Sequence, residues 1–238
     1  MFDKWNIDNT ISVPTSDSLQ AVFPTGTHPH KQDTTALPFG EAPTMSETQS
    51  TTPGRVVNGV TLPTPGTYVL DPTHTRIGFV ARHLMVTKVR GNFREFEGSI
   101  TVAEQPTDST AEVTIQAASI DTNTADRDAH LRSADFFDAE QFPQLTFGSA
   151  RVTGQQGSDF TVTGDLTIKG VTHEVELKVE LDGVVADPYG NTRLAVSAST
   201  DIDREQWGLT WNAALETGGV MVSKNIRIEI ESEAVLQG

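Results

Sequence analysis

The chain has 238 residues, no cysteine and a net charge of −15, with 17 lysines and arginines against 32 aspartates and glutamates. The lack of cysteine excludes a disulfide scaffold, thiolate catalysis and thiolate metal sites. The acidic balance repels phosphate backbones and anionic membrane surfaces, so nucleic acid is not an expected partner and membrane contact is expected to be at most transient.

Residues 1–66 hold eight of the twelve prolines, and Ser, Thr and Gly fill much of the rest. No apolar period of 2 or 3.6 persists there, and such a segment buries too little apolar surface to offset its ordering entropy. It reads as a disordered extension, with Phe2, Trp5 and Ile7 as a weak candidate contact. Met45-Ser46-Glu47-Thr48 reads as a protein start, so residues 1–44 are either an appended tail or an over-extended gene start. The N-terminal ten residues carry one lysine, two aspartates and no apolar core of signal-peptide length. No stretch approaches the roughly 20 apolar residues of a membrane helix. A cytoplasmic location is the expectation.

After Gly66 the pattern changes to period 2, the signature of half-buried strands. Thr75 to His83 places Ile77, Phe79, Ala81 and His83 on one face, with Arg76 and Arg82 on the other. Val89 to Val102 carries Phe93, Phe96 and Ile100, with Gly91 and Gly98 read as bends or bulges. Glu112 to Ala117 alternates around Val113 and Ile115. One helix follows, roughly Ala125 to Ser133, with Thr124 suited to the N-cap and Asp126 and Asp128 to the first turn. Leu145 to Val152 carries Phe147.

Phe160 to Ile168 and Val171 to Asp182 alternate without fault and are separated only by Lys169-Gly170, a hairpin signal. That turn sets Ile168 opposite Val171, Leu166 opposite His173, Gly164 opposite Val175, Val162 opposite Leu177 and Phe160 opposite Val179. Turn and alternation agree on one register. Leu194 to Ile202 then alternates through Val196 and Ala198, and Ile226, Ile228 and Ile230 alternate with Arg227, Glu229 and Glu231.

These elements predict an all-β fold: about eight antiparallel strands in an up-and-down barrel over residues 67–238, with one short helical insert. A two-sheet sandwich is the rival. Phe79, Phe93, Phe96, Phe147, Phe160, Val113, Ile115, Leu177 and Val196 form the inward set, relieved by Ala81, Gly164, Ala117 and Ala198. A barrel of this size is either filled by its own side chains or holds one small ligand, and alternation leaves both open.

The six histidines are His28, His30, His74, His83, His130 and His173. The first two lie in the extension, and the others form no close HxH or HExxH pair, so no metal is expected. GxSxG, Walker and GxGxxG motifs are absent. Asp71-Pro72-Thr73-His74 reads as a turn. His83 and His130 are either hydrogen-bonded rim histidines or polar groups meeting a lipid head group. Trp207 and Trp211 either line a mouth or cap the core.

A series of motifs runs in order along the chain: Tyr68-Val69-Leu70-Asp71-Pro72-Thr73-His74-Thr75, Gly78-Phe79-Val80 with Arg82-His83-Leu84, and Lys88-Val89-Arg90-Gly91-Asn92-Phe93 with Phe96-Glu97-Gly98. His130-Leu131-Arg132-Ser133, Asp135-Phe136-Phe137-Asp138 and Phe142-Pro143 follow. Gly164 to Thr172, Asp203-Arg204 and Trp207-Gly208 complete the set. Together these motifs resemble the YceI-like family of lipid-binding proteins. The resemblance implies a lipocalin-like barrel with an elongated apolar cavity, closed at one end by the helix, that binds a polyisoprenoid, an isoprenoid quinone or another long-chain lipid. The lipid-binding set it points to is Phe79, His83, Phe93, Phe96, Val113, Ile115, His130, Phe137, Phe147, Leu166, Leu177, Val196, Trp207 and Trp211. It implies a carrier or buffer with no catalytic residue and no cofactor beyond the bound lipid. The alternatives are a lipid-directed enzyme using His83 and His130, and a packed interaction scaffold; a homodimer stays open.

Overall fold

The computed structural model describes residues 53–57, 59–214 and 219–238, all within one compact unit, Thr51–Gly238. Of the extension read over residues 1–66, the part up to 52, with Phe2, Trp5, Ile7 and Met45, lies outside the described residues. The first barrel strand begins at Gly66, but the stretch just before it, read as disordered, holds a hairpin of its own. Gly54–Val57 (β1) and Val60–Pro63 (β2) pair as an antiparallel hairpin. Arg55 ties it down, donating to Glu104 at 2.6 Å and to the Ala103 carbonyl at 2.7 Å, and Leu62 is buried. Two four-residue strands among prolines show too short an alternation to be read.

Three barrel staves are each built from two strands. Gly66–Leu70 (β3) and Arg76–His83 (β4) run in the same direction along Asn225–Leu236 (β13), pairing Leu70 with Ala234 and Ile77 with Ile230. Thr87–Phe93 (β5) and Phe96–Val102 (β6) pair with β4 and β3 respectively. Thr110–Gln116 (β7) and Ile120–Asp121 (β8) pair with β6 and β5. Then come Gln144–Gln156 (β9), Asp159–Ile168 (β10), Val171–Ala186 (β11) and Thr192–Asp203 (β12). Neighbours in sequence are neighbours in space. The pairing of β12 with β13 along eleven residue pairs, Arg193↔Val235 to Asp203↔Asn225, closes the ring at eight staves. That closure removes the sandwich alternative.

The β10–β11 register matches the expected one at every position, from Ile168↔Val171 to Phe160↔Val179. The barrel turns its apolar face inward and its charged face outward, the reverse of a transmembrane barrel. Among the described residues no helix is long and apolar enough to cross a membrane.

Gly91 and Gly98 are not bulges, because the β4–β5 and β6–β7 registers run through them unbroken. The break falls at Arg94-Glu95, between β5 and β6. The glycines answer a different need, close approach. A Cβ on Gly91 would stand 2.5 Å from Phe79 Cζ, and one on Gly98 would stand 2.6 Å from the Glu112 carbonyl oxygen.

The helix spans Ala125–Arg132 (α1), with Thr124 at its N-cap. Thr124 makes no capping bond through its side chain; its hydroxyl instead accepts from Arg127 Nη2 at 3.0 Å. The entry to the helix is fixed one step earlier. Buried Asp128 accepts from the Thr122 amide (2.9 Å) and hydroxyl (2.5 Å), while buried Arg127 donates to the Thr122 hydroxyl (2.7 Å) and carbonyl (2.8 Å). Arg132 anchors the far end, donating to the carbonyls of Ala118 and Ile120.

Candidate functional site

The interior holds two buried clusters. At the helix end, Ile77, Phe93, Ile115, Ile120, Leu131, Phe136, Leu145, Leu166, Val175, Ile202 and Trp207 pack together. At the opposite end, Tyr68, Leu70, Val184, Leu194 and Ala234 form the second, with the Tyr68 hydroxyl donating to the Thr64 carbonyl at 2.9 Å. Between and against them lies a belt of inward-pointing apolar side chains that are only partly buried: Phe79, Phe96, Val113, Phe147, Val196, Ile228 and Ile230. Phe96 and Val113 touch both clusters.

The belt borders the barrel's interior between the two clusters, and its partial exposure marks the least filled part of that interior. Its aromatic rings lie on the wall. Phe79 covers Gly91, and Phe147 covers Gly164, where a Cβ would stand 2.6 Å from the ring. From Phe79 a line of rings leads to Phe93 (6.1 Å between centroids) and on to Phe137 (5.8 Å), connecting the barrel wall to the segment that follows α1.

Fourteen residues formed the expected lipid-lining set, and ten of them meet at one place. Phe79, Phe93, Phe96, Val113, Ile115, Phe137, Phe147, Leu166, Trp207 and Trp211 all belong to the helix-end cluster or pack against it. Val196 packs at the other end, and Leu177 is buried on the inner face opposite Val162. Trp207 is a plug: it is 2% exposed, and its indole N–H donates to the Leu166 carbonyl at 3.0 Å. Trp211 is only half-buried and joins His130 and Phe136 in a trio of rings with centroids 4.7 to 5.3 Å apart.

The two histidines have different surroundings. His130 Nε2 donates to Asp135 at 2.9 Å, so its ring is oriented by a carboxylate and packed by aromatics. His83 closes β4, half-buried, and burial followed by the nearby Arg127 charge pushes its imidazole below the ordinary histidine range. Both effects favour the neutral ring. His173 donates to the Gln206 carbonyl at 3.1 Å and stacks edge-on against Trp207. His74 pairs with Asp71 at 2.9 Å in the turn before β4. Among the described residues no group of histidines and carboxylates is arranged to hold a metal.

Arg204 has no apolar period to mark it, yet it organises the helix end. Its guanidinium is 4% exposed and donates to the carbonyls of Ser223 (3.1 Å), Leu209 and Trp211 (3.0 Å) while lying over the Phe136 ring. Burial lowers its pKa against the opposing pull of Glu205 and Asp203. A concavity of about 410 Å3 opens between β11 and β12. It exists because β11 and β12 pair only from Lys178↔Ser199 onward, so Val171–Leu177 diverges from Thr200–Asp203. Glu174, Glu176, Lys178, Asp201 and Arg227 give it a charged rim, alongside the core residues Val175, Ile202 and Trp207.

Comparison with known proteins finds relatives of this barrel. The YceI-like domain model matches residues 68–234. The chain belongs to the YceI-like family. A UPF0312 protein of Staphylococcus epidermidis is 41% identical over 165 residues, covering 68% of this chain and 94% of that protein. One from Staphylococcus aureus is 38% identical over 170 residues, covering 70% and 95%. Among solved structures, the Campylobacter jejuni YceI protein is 29% identical with a TM-score of 0.57, covering 66% of this chain and 90% of that one. A polyisoprenoid-binding domain from Saccharophagus degradans, 17% identical with a TM-score of 0.56, shares the fold over 73% of this chain and 100% of its own. The expected YceI-like barrel thus stands.

Proposed function

We propose that the barrel binds a long-chain apolar lipid, a polyisoprenoid or an isoprenoid quinone, along the belt between its two end clusters, and serves as a carrier or buffer without chemistry of its own. One observation carries this reading: inward apolar side chains from several staves are partly exposed within a closed ring. Each buried chain methylene contributes about 0.8 kcal/mol, so a long tail is held with few polar contacts. His83 and His130, at the helix end, are the polar groups offered to a head group or chain terminus. The Saccharophagus degradans neighbour is a polyisoprenoid-binding domain, which favours the same ligand class.

The test is a titration of the delipidated chain with a polyprenol, a ubiquinone and a fatty acid, followed by quenching of tryptophan fluorescence, since Trp211 is half-buried at the helix end of the lumen. Saturable binding of the isoprenoids supports the proposal. Failure of every apolar chain to bind removes it.

A further inference from the structure

The β4–β5 hairpin ends in Leu84-Met85-Val86, which are 43%, 55% and 77% exposed. The turn is closed by the Val86 amide donating to the His83 carbonyl at 3.0 Å, and Leu84 and Met85 both have positive φ, 52° and 61°. That geometry is met at least cost by Asn-Gly, and bulky apolar residues there are strained. The tip is not loose. Leu84 donates from its amide to the Met221 carbonyl (2.9 Å), Ser223 donates to the Arg82 carbonyl (2.9 Å), and Val220, 37% exposed, stands in the buttressing segment. The chain thus spends local backbone strain to hold three large apolar side chains out in water.

The charge around the tip opposes that of the whole molecule. From Pro72 to Arg94 there is no aspartate or glutamate, while Arg76, Arg82, Lys88, Arg90 and Arg94 all fall in this stretch of a chain whose net charge is −15. Arg82 and Lys88 are direct cross-strand partners, a like-charge pairing that disfavours the hairpin on its own. Arg82, Lys88 and Arg90 are exposed and, among the described residues, make no ion pair, whereas Arg94 is paired with Asp121 and Arg227 with Asp201. At physiological salt the Debye length is about 8 Å, so a surface touching the tip senses these cations before the distant acidic shell.

We propose that this hairpin is a membrane-docking element: Leu84, Met85 and Val86 enter the interfacial region of an anionic bilayer, and Arg82, Lys88 and Arg90 meet its phosphates. The tip projects from the end of the barrel where His83 closes β4, so docking sets the helix end of the lumen at the lipid surface. The docking proposal stands on the tip itself and not on what the lumen holds.

The test is co-sedimentation of the full chain with vesicles of phosphatidylcholine alone or mixed with phosphatidylglycerol, at about 0.1 and about 1 M salt, where the Debye length falls from about 10 to about 3 Å. Binding is expected to the mixed vesicles, weakened by high salt and reduced at least about tenfold in the double variant Lys88→Glu, Arg90→Glu. The triple variant Leu84→Asn, Met85→Gly, Val86→Ser improves the turn chemistry while removing the apolar tip, so its loss of binding is not a folding defect. Its unchanged polyprenol titration separates docking from lumen binding. No binding of the parent chain to anionic vesicles, full binding by the triple variant, or capture of the tip only by a soluble protein would each overturn the proposal.

Discussion

The Phe79 ring lies over Gly91, its register partner across the β4–β5 hairpin, with Cζ at 2.5 Å from where a Cβ would stand. Phe147 lies on Gly164 in the same way. In each case a side chain large enough to fill the barrel is laid on its wall by a residue without one. A barrel of Phe and Leu with alanines at those glycines would push the rings inward. On the proposed lipid-binding reading, the glycines are part of what keeps the lumen open.

Gly91→Ala and Gly164→Ala therefore test the lumen directly. Neither glycine needs a positive φ, so the effect is steric. Each variant is expected to fold, to lose about 1–3 kcal/mol from overpacking and to weaken polyprenol binding by about tenfold or more. Titration and denaturant unfolding read the two effects separately. Stability loss with unchanged affinity would mean that the rings do not border the ligand.

Truncations of phenylalanine distinguish lining from packing. Phe136 is 3% exposed in the helix-end cluster, and Phe136→Ala should cost about 3–5 kcal/mol in chemical denaturation. Phe147 is only half-buried, and Phe147→Ala should cost clearly less while lowering affinity. Equal stability losses would describe a filled barrel.

Arg204→Met removes a buried donor to three carbonyls and leaves them without partners. The expected cost is about 3–5 kcal/mol, read as a lower denaturant midpoint at unchanged m-value. A cost below about 1 kcal/mol would show that water replaces the guanidinium freely.

The acid limb of stability rests on the far end of the barrel. Asp71 is held well below the carboxylate range, chiefly by Arg193 and then by Thr73 and His74. Asp187 is lowered to about 2, chiefly by the Asn191 side chain. Both folded values are below the ordinary 3.8, so their contribution is present above about pH 4 and is lost as pH falls toward the folded values. Arg193→Met should lower the melting temperature at pH 7 and flatten its fall between about pH 4 and pH 2, mainly through Asp71. Parallel melting curves for variant and parent across that range would contradict the assignment.

Much of the fold was legible because two independent signals agreed. At Lys169-Gly170 the turn and the alternation demand the same register, and ten residue pairs obey it. The break at Arg94-Glu95 was also present in the residues. Phe93 and Phe96 both point inward though an odd number of positions apart, which an unbroken strand forbids. Gly91 and Gly98 misled because a strand glycine marks either a bulge or a close approach, and only the facing ring decides. Arg204, Arg127 and Asp128 were not legible as buried groups. Their partners are carbonyls and hydroxyls that no periodicity marks, and charged residues in sequence look alike whether paired inside or solvated.

The central claim is that the lumen holds a long apolar lipid. The most direct measurement is mass spectrometry of an organic extract of the full chain purified under native conditions, without detergent. The account predicts one class of isoprenoid or other long-chain lipid recovered near one per chain, and markedly depleted in Gly91→Ala. A lipid-free extract from a folded chain that also takes up no added polyprenol would contradict it.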